Sequence, residues 1–97
     1  MPIYIVVPLT ETSTTLDEAV EKRISPPTDR YKLPSNRGWF IKFDGTTIEL
    51  SNHLELTGQE KGVPSPIGQA IVAPVNSYYG RGPMDMWEWL KIRFENE

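Results

Sequence analysis

The hydrophobic pattern changes period several times along the chain, and each change marks an element. Residues 3–9 form a continuous run of β-branched, aromatic and other apolar side chains, the signature of a strand buried on both faces. After a polar stretch at 10–14, Thr15-Leu16-Asp17-Glu18 reads as a capping box. There the threonine hydroxyl accepts from an early helical N–H and the glutamate reaches back to the cap. Leu16, Ala19, Val20 and Ile24 follow at helical spacing and give that helix one apolar stripe. It ends at Ser25, because Pro26 disfavours the helical conformation in the residue before it.

The next stretch predicts a hairpin. Arg30-Tyr31-Lys32-Leu33 alternates, 34–38 carries turn residues, and Trp39-Phe40-Ile41-Lys42-Phe43 is the strongest strand pattern in the chain. Pro34 implies that the preceding strand is short or at an edge. Residues 46–56 are ambiguous. Ile48, Leu50, Leu54 and Leu56 share one face of a strand, and Asp44-Gly45 suits a hairpin turn. Yet Thr46-Thr47-Ile48-Glu49 is a second capping box, Ser51-Asn52-His53 is poor strand material and Gly58 suits a helix end. The segment is predicted as a helix, partly because a helix there completes a common topology.

Residues 58–68, rich in glycine and proline, are predicted as a loop and as the most mobile region. Residues 69–75 supply a last strand, with Pro74 requiring an edge position or a bulge. Gly82-Pro83 opens a final helix, whose Met86, Trp87, Trp89, Leu90 and Phe94 fill one arc centred on Leu90. The order β-α-β-β-α-β-α predicts an α+β domain: a ferredoxin-like split βαβ sheet with an added C-terminal amphipathic helix. All 97 residues fit one domain of this kind.

Composition narrows the chemistry. The chain has no cysteine, which excludes thiolate metal sites and cysteine nucleophiles and fits a reducing compartment. Its apolar start lacks a basic leader, and no apolar run reaches the ~18 residues of a membrane span, so a cytoplasmic protein with no membrane partner is expected. The net charge of −3 conceals a segregation: residues 22–43 carry six bases and one acid. Such a patch can steer an anionic partner, although the acidic chain as a whole lacks the high pI of most nucleic-acid binders.

His53 is the sole histidine, and a catalytic or zinc-binding histidine needs partners that the chain does not supply. It is read as a surface or cap residue. Gly80-Arg81-Gly82 before a helix start could hold an anion on backbone N–H groups, but the simpler reading is an elbow that needs small residues to turn. Neither a cofactor nor a metal is expected.

The element order resembles two families. One comprises small ferredoxin-like proteins such as the CRISPR-adaptation nucleases and VapD-type ribonucleases. Many of those nucleases hold a metal on an aspartate after the first strand; here that stretch carries only Glu11 as a substitute. The other is the RNA-recognition motif. Its third-strand signature looks like Arg37-Gly38-Trp39-Phe40-Ile41-Lys42-Phe43 with one residue missing, and its first-strand signature like Ile3-Tyr4-Ile5. That resemblance implies Tyr4 and Phe40 side by side on an open sheet face as base-stacking platforms, with Arg30, Lys32 and Lys42 on phosphates.

Half of the ten aromatic residues lie between 78 and 94. The expected function is therefore a small non-enzymatic interaction module that self-associates, or docks on or inhibits a larger protein. Its contact residues would be Tyr78, Tyr79, Arg81 and Trp87. The alternative is single-stranded RNA binding through Tyr4, Phe40 and the basic hairpin. The final helix weighs against that alternative, since its apolar arc is expected to cover the second sheet face.

Overall fold

In the computed structural model, which describes residues 2–10, 14–77 and 80–95, the elements follow the predicted order. They are β1 (Ile3–Pro8), α1 (Thr14–Arg23), β2 (Arg30–Lys32), β3 (Trp39–Lys42), α2 (Thr47–His53), β4 (Ala70–Pro74) and α3 (Met84–Glu95). The strands form one antiparallel sheet in the order β2-β3-β1-β4. β2, which Pro34 follows closely, and β4, which carries Pro74, lie at its edges, whereas Pro8 closes the central strand β1. Pro74 sits where its missing N–H would have pointed away from β1. The bonds Val75 N–H to Ile3 and Leu9 N–H to Gln69 fix the inward-facing positions as the odd ones.

The two faces of the sheet are covered separately. Tyr4, Val6, Trp39 and Ile41 pack beneath Leu16, Val20 and Ile24 of the first helical segment and beneath Leu50, Leu54 and Leu56 of the second. Ile3 and Phe40 pack on the opposite face beneath Trp89 and Leu90 of α3. Val6, Ile41, Leu50, Leu54, Val20 and Leu90 are essentially inaccessible to solvent.

Gly38 enters β3 with φ of 124°, and a Cβ there would lie 2.0 Å from the Val6 carbonyl oxygen. Only glycine permits both that backbone and that approach of β1 to β3.

The helix assigned to 46–56 is present but shorter than predicted. Thr46 caps α2 reciprocally: its hydroxyl accepts from the Glu49 N–H at 3.1 Å, and its own N–H donates to the Glu49 carboxylate at 3.0 Å. Leu54 is the C-cap, and the chain turns at Glu55, not Gly58, with φ of 64°. That left-handed turn is held from three sides: Arg23 pairs with the Glu55 carboxylate, while Gln59 and Ser65 both donate to its carbonyl. These contacts do what a glycine would otherwise do at a helix end.

The first capping box is not realised. Helix α1 already includes Thr14, so Thr15 lies inside it and donates to the Ile67 carbonyl at 2.8 Å. This bond ties the 58–68 loop to α1. His53 lies in the last turn of α2 as a bridging residue: its Nε2 is 2.8 Å from the Arg23 carbonyl and its ring lies against Phe43.

Candidate functional site

The amphipathic final helix positions the site. Three donors converge on one backbone acceptor, since Trp89 Nε1 and both Nε and Nη2 of Arg93 donate to the Thr28 carbonyl. The Arg93 guanidinium also lies over the Trp89 ring, 4.6 Å from its centroid. At the other end of the helix, the Tyr31 hydroxyl donates to Asp85 at 2.9 Å. The phenol of Tyr31 is pushed above its ordinary pKa, first by desolvation and then by the hydrogen bond and charge of Asp85. Helix α3 is thus fastened to β2 and to the turn before it, and Trp89 and Leu90 are pressed onto the sheet.

Beside that seal, between α3 and the end of β4, lies a groove of about 590 Å³. Ile5, Phe40 and Leu90 form its floor, Pro74 and Val75 one wall, Met86 and Trp87 the other, with Asn76, Ser77, Gly80 and Arg81 at its mouth. Gly80, at φ of 150°, has no described atom within 4 Å of where a Cβ would stand, so it serves backbone geometry and not packing. Arg81 is exposed at the rim.

Of the four predicted contact residues, Arg81 and Trp87 both line this groove. Tyr78 and Tyr79 lie outside the described residues, as does the side chain of Phe94. At the start of α3 the N–H groups of Met86 and Trp87 donate to the Pro83 carbonyl at 3.1 and 3.3 Å, and Asp85 places a carboxylate in the first turn.

The proposed RNA face is not assembled. Tyr4 pairs in register with Ile41 and Ile5 with Phe40, so Tyr4 and Phe40 point to opposite sides of the sheet. Tyr4 is 4% exposed with its hydroxyl donating to the Gly45 carbonyl, and Phe40 is 8% exposed beneath Trp89. Arg30 donates to the Ile24 carbonyl at the end of α1, and Lys32 pairs with Asp17 while lying over the Trp39 ring. Lys42 sits at the end of β3 opposite Ile3, and its side chain is half-buried. Arg30 and Lys32 thus lie on the α1 side of the sheet, and Lys42, in register with Ile3, lies on the α3 side.

Sequence reasoning missed the contribution of Ile5, Val75 and Met86 to the groove. An uninterrupted apolar run at 3–9 carries no alternation, so only the pairing of Ile5 with Phe40 reveals which side Ile5 takes. Glu11, the one acid after the first strand, lies outside the described residues, among which no three metal-binding side chains come together. No described helix is long and apolar enough to cross a membrane. Comparison with protein-family models, curated proteins and solved structures finds no significant match.

Proposed function

We propose that this chain is a small, non-enzymatic, cytoplasmic protein-interaction module built on a ferredoxin-like sheet, and that it docks on a larger protein through the groove beside α3. The ferredoxin-like reading is supported by the β-α-β-β-α-β order and by the antiparallel strand order β2-β3-β1-β4. The lack of cysteine fits a reducing compartment.

One observation carries the docking reading: the groove offers an apolar floor between α3 and the end of β4, with Trp87, Met86 and Arg81 around it. Tryptophan and arginine supply a large share of the binding energy at protein contacts, and methionine is enriched there. The RNA alternative has no comparable surface, because its two stacking rings are buried on opposite faces.

The test is site-specific photocrosslinking in the cells that make the protein. A photoreactive side chain at Arg81 is compared with one at Lys22, which is exposed on α1. A discrete protein adduct formed from position 81 and not from position 22 supports the groove. Labelling that is equal from both positions, or RNA recovered from position 81, contradicts it.

A further inference from the structure

The two edges of the sheet are finished differently. On β2 the outward-facing backbone groups belong to Arg30 and Lys32, two charged residues, and the Arg30 N–H is already bonded to the Pro27 carbonyl. Charges and brevity are the usual protection of an edge strand against pairing. On β4 the outward groups are the N–H and carbonyl of Ala70 and Val72 and the carbonyl of Pro74, and no described residue bonds to them. The strand carries no charge, and the sequence has none from 62 to 80.

Two isoleucines flank this bare edge, one on each side of the sheet. Ile71 is 53% exposed on the α3 side, and Ile48 of α2 is 71% exposed on the other, where it shares a groove of about 400 Å³ with Val72. Large exposed apolar groups beside unpaired backbone donors and acceptors define a surface made for strand addition.

We infer that β4 pairs antiparallel with β4 of a second copy, joining two four-stranded sheets into one. The edge is complementary to itself. A two-fold axis at Val72 sets the Val72 N–H and carbonyl against those of its counterpart and sets the Ala70 N–H against the Pro74 carbonyl. The donor that proline lacks therefore leaves only one acceptor unpaired in each half. The same axis brings Ile71 and Ile48 towards the other copy on their respective faces. Charge favours this contact as well: each copy carries −3, and the uncharged 62–80 stretch is where two such chains approach with least repulsion. This pairing does not rest on the α3 groove and stands or falls separately from it.

Sedimentation equilibrium on the full chain tests the inference, with Ile71→Lys as the main variant, since its exposed side chain can change without disturbing the core. Ala70→Pro, which removes an outward donor, is the second variant. The wild type is expected to show twice the 11.1 kDa chain mass as concentration rises. Ile71→Lys should weaken association by at least ~10-fold while its thermal melt under monomeric conditions stays unchanged. Two results would overturn the pairing. One is a wild type still monomeric at about 1 mM, which would leave the edge to an extended segment of another protein. The other is a dimer that both substitutions leave intact.

Discussion

The indole of Trp89 stacks on the ring of Phe40, with centroids 6.2 Å apart and planes 20° from parallel. This contact turns α3 into a lid. It closes the sheet face that an RNA-recognition motif would keep open, and it leaves the helix's amino-terminal half standing off β4 as one wall of a groove. Aromatic pairs of this kind contribute ~0.5–1.5 kcal/mol beyond the area they bury.

Leu90 and Arg81 separate the scaffold from the site. Leu90 is 1% exposed against Ile3 and Phe40, so Leu90→Ala should cost ~2–5 kcal/mol in chemical denaturation. Arg81 is exposed at the mouth of the groove, so Arg81→Ala should leave stability within ~0.5 kcal/mol while weakening partner capture. A Leu90→Ala chain of unchanged stability would show that α3 does not pack on its own sheet.

The reciprocal cap of α2 should behave as a unit. Thr46→Ala removes the acceptor of the Glu49 N–H and should cost ~1 kcal/mol. Glu49→Ala should cost less, and the double variant should lose less than the two single losses added together, because each side chain serves the other's backbone. Urea unfolding of the four chains checks this. Strict additivity would mean that the two bonds do not cooperate in solution.

Gly38→Ala should be poorly tolerated although the residue adds only a methyl group. The new Cβ would meet the Val6 carbonyl, and the residue would be held at a φ that L side chains rarely adopt. A loss of more than ~1 kcal/mol is expected, since neither the β1 backbone nor the turn can yield without breaking strand pairing. A denaturation midpoint equal to that of the wild type would refute the close approach.

Alkaline pH should loosen the lid at Tyr31. Because its folded pKa is raised, the neutral phenol is favoured by folding. That stability is fully present below the unfolded tyrosine value and is lost as pH rises through the folded one. At pH 8 Tyr31→Phe should melt below the wild type, having lost the bond to Asp85. The gap should close as pH climbs beyond about 10, when an ionised Tyr31 would face the Asp85 carboxylate. A gap that stays constant across that range would mean that the phenol does not titrate against Asp85.

How far the sequence revealed this molecule depended on how local each signal was. The strands, the apolar stripes and the cap of α2 are written within a few residues of one another, so the element order was legible, and the prolines left an edge position as one of two alternatives for β2 and for β4. Helix α2 was recovered from the cap that Thr46 and Glu49 form three residues apart, together with the topology a helix completes there, whereas its end was misplaced because Glu55 is held by Arg23, Gln59 and Ser65. Thr15 was misread for the same reason, as its partner Ile67 lies 52 residues away. The side of the sheet taken by Tyr4 depends on strand register, a property of two distant segments, and borrowing a known motif's register set it beside Phe40. That Arg81 and Trp87 would share a surface was legible because a glycine elbow before an aromatic helix is a local pattern; the apolar residues that line the groove with them were not.

The central claim is that the lid leaves no stacking surface on the sheet, so that RNA has no open face there of the kind an RNA-recognition motif offers. A titration with single-stranded RNA at low salt, read by tryptophan fluorescence, tests it directly, because Trp89 lies on Phe40 and would report any base reaching that face. The account predicts no saturable change in emission up to high micromolar RNA. A saturable change that weakens as salt is added would mean that α3 lifts from the sheet to admit nucleic acid, and would contradict it.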